Sequence, residues 1–381
     1  MKAIVVGGGI MGLATAWALA REGCDVELFE QADLPNTTGS SFDAHRLIRH
    51  PYGTQAGYAR MIDDALAAWD LLWDELGQRL YVPTGTLALS GNGARWAEQS
   101  ATTLAAIGRP MTEIPVAELP RRFPLLETGG VERAYWLDTG GVLFAQDIVV
   151  ALARRLASKP AVALHPRTQI REVDLDRARI VTEAGNTHDA DVVIVAAGAW
   201  VGRLLPSLGN RLVPSRQVVA YFELPVEQQA AWTKGPMIIE QTGDVGLYLV
   251  PPRQGRGLKV GDHAFSRTGD PTAGREASVA EIAPLLERCR NLLAGFERWR
   301  IERLKACFYT VTEDERFVVE KQGAAGWVMS PCSGHGFKFG ALMGLELART
   351  IVSDRDPALH ARWAAGLAPS PTLSPSRGRG V

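Results

Sequence analysis

The stretch Lys2-Ala3-Ile4-Val5-Val6-Gly7-Gly8-Gly9-Ile10-Met11-Gly12 decides how the rest of the chain is read. An apolar run of β character ends in a G-x-G-x-x-G turn made by Gly7, Gly9 and Gly12. A helical pattern covers residues 13–22, a second strand covers Asp25–Phe29, and Glu30 stands 18 residues beyond Gly12. Each part has a task in gripping a dinucleotide. The glycines permit a tight turn and close backbone approach, and the helix start beside Ile10 and Met11 attracts a pyrophosphate. The acid accepts hydrogen bonds from a ribose. A glycine pattern alone is weak; the complete strand–turn–helix–strand–acid setting identifies a dinucleotide-binding unit.

Composition narrows the class. A chain of 381 residues is long enough for two domains with buried cores. Hydrophobic content of 46% and charged content of 22% match a soluble globular protein. A net charge of −1 provides no field to recruit nucleic acid or an anionic membrane, so neither partner is expected. Cys24, Cys289, Cys307 and Cys332 are scattered without a C-x-x-C pair. This argues against a zinc site or disulfide framework and fits a reducing cytoplasm; no metal is expected. Residues 3–20 are apolar and end in Ala18-Leu19-Ala20, as a signal peptide does. Cleavage there would destroy the glycine turn, so a buried strand and helix is the better reading. No other run approaches the ~18 apolar residues of a membrane span. Residues 367–381, rich in Pro, Ser, Arg and Gly, cannot bury apolar surface and are expected to form a disordered tail.

Pattern along the chain implies an α/β fold in two domains, the first entered three times. A Rossmann-like dinucleotide domain is assigned to residues 1–80, 143–213 and 314–366. The nearly all-apolar run 191–197 reads as one of its strands, buried on both faces. An α+β domain with a mainly antiparallel sheet is assigned to residues 81–142 and 214–313, from short strands separated by turn residues. Such re-entry is common among flavoproteins whose second domain covers the isoalloxazine, a fold-level analogy only.

Four clusters carry candidate chemistry. In the segment 40–52, Arg46 and Arg49 lie three apart and are expected to project from one side of a turn or short helix toward an anion. A surface basic patch is the plainer alternative, against which the apolar Leu47-Ile48 argues. Lys259 and His263 share a strand face with Gly261 between them, which leaves room for a ligand. Cys307 reads by itself as a small buried strand residue. The run Ser333-Gly334-His335-Gly336-Phe337-Lys338-Phe339 precedes an apolar helix, where its glycines would let backbone N–H groups approach a ligand beside Lys338.

Taken together, Arg46-Leu47-Ile48-Arg49-His50-x-Tyr52-Gly53, Gly141–Phe144, Ala197-Gly198-Ala199-Trp200, Gly257-Leu258-Lys259, Cys307-x-Tyr309-Thr310 and Ser333–Phe339 resemble the monomeric sarcosine oxidase family of the D-amino-acid oxidase superfamily. The resemblance reaches about residue 365. It implies a glutathione-reductase-like FAD-binding domain, in which Gly7, Gly9, Gly12 and Glu30 hold the adenosine half and Ser40 helps with the pyrophosphate. Ala197, Gly198 and Trp200 and the residues Gly334–Lys338 would also contact FAD. Cys307 matches the cysteine that carries flavin through a thioether, and Lys259 the lysine that promotes reaction of reduced flavin with oxygen. Arg49 and Lys338 match the pair that holds a substrate carboxylate, and Arg46 lies beside the flavin ring. Tyr248, His263, Tyr309 and Gly334 match the substrate cavity. The sequence departs from the family where Ser41-Phe42-Asp43-Ala44-His45 replaces a His-His-Gly-Asp-Thr stretch. A basic His45 beside the flavin is therefore expected to change its potential or the pocket shape, which puts sarcosine in doubt as the substrate. Cys332 replaces a common phenylalanine and is expected to be structural.

The implied activity is oxidation of a secondary, N-methyl or cyclic α-amino acid to an imine by a cytoplasmic monomer, with O2 reduced to hydrogen peroxide. The alternatives are a flavin dehydrogenase using another acceptor, a non-catalytic FAD-binding subunit, and an NAD-dependent dehydrogenase, which would leave Cys307 unexplained.

Overall fold

The first sheet is built around strands with almost no polar side chains. Its order is Val318–Gln322, Gly326–Ser330, Val192–Val195, Lys2–Val6, Asp25–Phe29, Val162–His165. Neighbours are parallel except for the first pair, which is antiparallel. Val192–Val195 is buried throughout, as a strand covered on both faces must be. Helix Ile10–Arg21 lies against helix Gly340–Val352. Gly344 permits that contact: a Cβ there would come within 2.5 Å of the Ala14 carbonyl oxygen. The computed structural model describes residues 1–242 and 245–369; of the tail expected to be disordered, Leu367 instead donates its N–H to the Arg362 carbonyl at 2.9 Å, and residues 370–381 lie outside the described residues.

The second sheet has eight strands in the order Arg300–Val311, Val213–Glu223, Leu258–Asp262, Leu247–Val250, Met237–Gln241, Thr86–Ser90, Arg133–Leu137, Thr112–Glu113. It is antiparallel except where Met237–Gln241 runs parallel to Thr86–Ser90. Strand alternation divides its side chains between two faces. Leu258 and Val260 join an apolar cluster with Phe222, Leu249, Leu286 and Trp299. Lys259, between them, lines a cavity.

One local expectation is corrected. The segment carrying Arg46 is neither turn nor short helix: Arg46–Ile48 is a strand paired antiparallel with Gly141–Leu143. A few residues cannot nucleate a helix profitably, whereas pairing satisfies their backbone and buries Ile48 completely. Among the described residues no helix is long and apolar enough to cross a membrane.

Candidate active site

The C-terminal ends of four parallel strands open into one cavity of about 690 Å³, the position where open α/β sheets bind ligands. Gly7, Gly9, Ile10, Met11, Glu30, Ala197, Gly198 and Trp200 line it. Gly7 has φ +113°, and a Cβ there would overlap the Ala196 carbonyl oxygen. Gly12 lies beneath the turn, where a Cβ would overlap the Gly7 carbonyl oxygen, so its task is helix–strand packing. The Glu30 carboxylate accepts Gly8 N–H at 2.7 Å, Ala32 N–H at 3.0 Å and Asn36 Nδ2 at 3.0 Å. A carboxylate can accept about four hydrogen bonds, which leaves capacity for a hydroxyl. The hydroxyl at the helix start is that of Ser41, which accepts Ile10 N–H at 3.0 Å. Ser40, expected at the pyrophosphate, lines the cavity as well, with its hydroxyl donating to the Phe308 carbonyl.

At the other end Arg49 and Lys338 converge on Tyr52. The Arg49 guanidinium lies 4.6 Å from the Tyr52 ring centre and 5.2 Å from that of Trp96. Lys338 Nζ donates to the Tyr52 hydroxyl at 3.0 Å and to the His335 carbonyl at 2.8 Å. Among the described residues neither cation has a carboxylate partner, and Arg49 Nη1 is buried with no hydrogen bond at all. Burial lowers the pKa of Arg49, and burial together with Arg49 holds Lys338 well below the ordinary lysine range. His335 is locked by Tyr52 Oη at 3.3 Å and the Glu315 carbonyl at 3.2 Å, and burial and then Lys338 push its pKa far down. Gly334 adopts φ +76°, where a Cβ would press on Tyr309 and Phe265. Gly334, Gly336, Phe337 and Lys338 all line the cavity. Tyr52 and Trp96 were not singled out from sequence; Tyr52 stood inside the motif that carries Arg49.

Between these ends lies a polar knot on Asp43, which sequence reading passed over. Lys259 Nζ is 2.6 Å from Asp43 Oδ2, and Arg46 and the Tyr221 hydroxyl also contact this carboxylate. Only the i, i+3 spacing from Asp43 to Arg46 was a local signal. Burial and the Arg46 guanidinium push the Lys259 ammonium well below its usual range, and Asp43 opposes them. Cys307 is buried on Arg300–Val311, two residues from Lys305 on one side and from cavity-lining Tyr309 on the other. It is not itself in the cavity wall. Cys332 Sγ accepts Thr310 N–H at 3.3 Å.

Two expectations fail here. His45 does not line the cavity; it is fully buried, with Nε2 3.1 Å from the Gly257 carbonyl. Burial and the Lys259 charge push it down to about 3, so it is neutral and supplies no basic group to a cofactor. The expected ligand space at Gly261 is filled by Tyr248, whose hydroxyl would lie 2.5 Å from a Cβ there. His263 does line the cavity, with Nε2 3.1 Å from Glu315, and both are partly exposed. Burial raises the pKa of Tyr248 to about 12 and that of Tyr309 beyond its usual range, so both cavity phenols stay protonated.

A dinucleotide cradle that continues into a buried chamber with two cations at its end defines a flavoprotein oxidoreductase. Residues 2–350 match the family described as FAD dependent oxidoreductase, and the chain belongs to that family. It is 30% identical over 366 residues to monomeric sarcosine oxidase from Bacillus sp. (strain B-0618), covering 92% of each chain. It is 24% identical over 358 residues to N-methyl-L-tryptophan oxidase from Yersinia pestis (strain Pestoides F), covering 92% of this chain and 95% of the other. Among solved structures, glycine oxidase from Geobacillus kaustophilus superposes with a TM-score of 0.78 at 21% identity, over 98% of this chain and 100% of that one. L-proline dehydrogenase from P. horikoshii gives 0.81 at 20% identity, over 96% of both. The residues present fit FAD. Besides the glycine cradle and Glu30, Arg49 Nη1, Trp200 Nε1, Thr310 Oγ1 and Ser330 Oγ are buried, partnerless polar atoms of residues that line this cavity.

Proposed function

We propose that the chain oxidises the C–N bond of a secondary, N-methyl or cyclic α-amino acid to an imine, with electrons passing to dioxygen to give hydrogen peroxide. The observation that carries this reading is the unpaired couple Arg49 and Lys338. Two like charges held together below ordinary pKa values, one with a buried vacant N–H, are a site for an anion the size of a carboxylate. A fork and an ammonium on one carboxylate fix the position of the adjacent Cα–H and nitrogen. Tyr248 and Tyr309 line the same cavity, and their phenols are poor bases. The amine therefore enters as the free base, with its own lone pair to assist the loss of the α-hydrogen. Bound FAD supplies the two-electron acceptor. Residues Gly7–Met11, Glu30 and Ala197–Trp200 would hold it, and Cys307 would tether it through a thioether. The protein works as a soluble monomer in the cytoplasm.

The deciding experiment is a peroxide-release screen over sarcosine, other N-methyl amino acids, proline, pipecolate and glycated amino acids, with an artificial electron acceptor in parallel. Peroxide from at least one of these supports the reading. Turnover only with the acceptor makes the chain a dehydrogenase, and no bleaching of the flavin by any of them removes the amine assignment. For the tether, acid-denatured protein should keep its yellow colour, and Cys307→Ala should release it. Unchanged attachment in that variant would exclude Cys307.

A further inference from the structure

We propose that Asp43 is a positioning residue for Lys259: it holds the ammonium charged against the cavity and so sets how fast the reduced enzyme reacts with oxygen. The inference rests on the oxidase reading above for the task of Lys259, and on geometry for the part played by Asp43. The Asp43 carboxylate is 2% exposed and sits among cations from three different segments. Lys259 comes from Leu258–Asp262, Arg46 from Arg46–Ile48, and Lys305, 3.9 Å away, from Arg300–Val311. Asp43 itself belongs to the loop before Arg46–Ile48. Tyr221, paired in register with Lys259 on the neighbouring strand, donates its hydroxyl to the same carboxylate. Arg303 lies over the other parts of this group, 4.3 Å from the Tyr221 ring centre, and neutral His45 packs on that ring at 5.7 Å. Cys307 lies on the strand face between Lys305 and Tyr309. Among the described residues Asp43 is the one carboxylate ion-paired with Lys259.

An ammonium has three donors. One points to Asp43 Oδ2 at 2.6 Å and another to the His45 carbonyl at 3.3 Å. Lys259 lines the cavity, so the third is available there. Dioxygen takes two electrons and two protons and leaves as hydrogen peroxide, passing through a state of negative charge that a fixed cation stabilises. That service requires the lysine to be protonated. Its surroundings oppose this, because burial and Arg46 both favour the neutral amine. Removing the single opposing carboxylate should therefore discharge Lys259 within the working pH range.

The test uses photoreduced holoenzyme mixed with oxygenated buffer, which needs no amine, so a failed substrate screen leaves it intact. In wild type the rate should fall only at a higher pH than in Asp43→Asn, where Lys259 has lost its one ion-paired carboxylate. Lys259→Met should be slow at every pH. Asp43→Asn should approach the Lys259→Met rate, about tenfold or more below wild type, at pH 9 and recover toward wild type at pH 6, with Asp43→Glu partly restoring the high-pH rate. A second readout is the 15Nζ resonance of Lys259 in the oxidised holoenzyme, assigned by its loss in Lys259→Met; its titration should move to lower pH in Asp43→Asn. Reoxidation of Asp43→Asn at the wild-type rate throughout would overturn the proposal. So would a uniformly slow Asp43→Asn whose Lys259 titration is unmoved, since that is the result of a merely structural role.

Discussion

Arg49 and Lys338 are the residues where chemistry and geometry are most tightly joined. Arg49 is stacked between Tyr52 and Trp96, so its guanidinium is held without any ion pair. A hydrogen bond to a charged group contributes about 1.5–3 kcal/mol, roughly 10- to 150-fold in affinity. Arg49→Ala should therefore raise KM for an amino-acid substrate by about that factor. It should leave KM for the corresponding amine without a carboxylate nearly unchanged. Equal losses for both substrates would show that Arg49 supports the fold of the pocket rather than the carboxylate. Arg49→Lys should recover little, because an ammonium lacks the planar fork. Arg49 and Lys338 were legible in the sequence because each sits in a compact motif. Asp43 was not, since its meaning comes from Lys259 and Tyr221, 216 and 178 positions away. His45 misled for the opposite reason: proximity to Arg46 in sequence says nothing about which way a side chain leaves a loop.

The same contrast holds for elements. Lys2–Val6 and Asp25–Phe29 stand where the sequence placed them, because apolar runs closed by glycine or an acid mark both ends. The strand Arg46–Ile48 was missed because a three-residue strand carries no period of its own and exists through its partner Gly141–Leu143. Two buried glycines in different packing contacts separate the tasks of fold and cofactor. Gly12→Ala places a methyl group on the Gly7 carbonyl, and Gly344→Ala places one on the Ala14 carbonyl. Both clashes are with backbone and cannot be relieved by a rotamer change, so each should cost about 1–3 kcal/mol or more. Both variants should show lower denaturant midpoints. Only Gly12→Ala, directly under the turn, should lose flavin, read as the ratio of visible to ultraviolet absorbance. Full flavin content in stable Gly12→Ala would contradict the role given to that turn.

At the scale of the whole molecule, burial of uncharged histidines determines how the protein responds to acid. The chain has seven histidines, and the pKa values of His45, His50, His165, His335 and His360 are all lowered, in each case chiefly by burial. His45 is pushed to about 3 and His360 to about 4, against an ordinary value of 6.5. As pH falls through 6.5 the unfolded chain takes up these protons and the folded chain does not, so stability is lost on the acid side and is fully present above. Between pH 7.5 and 5.5 His45 and His360 should each remove about 1.4 kcal/mol. His360 is the cleaner probe, since it lies away from the cavity between Trp327 and Trp363, with Nδ1 2.9 Å from the Thr350 hydroxyl. His360→Phe will lower stability at both pH values by disturbing that contact, so the informative quantity is the difference between them. The urea-derived stability of wild type should drop more from pH 7.5 to 5.5 than that of His360→Phe, by about 1.4 kcal/mol. The same drop in both proteins would mean that His360 takes up its proton while folded. The acid sensitivity would then have to come from elsewhere in the molecule.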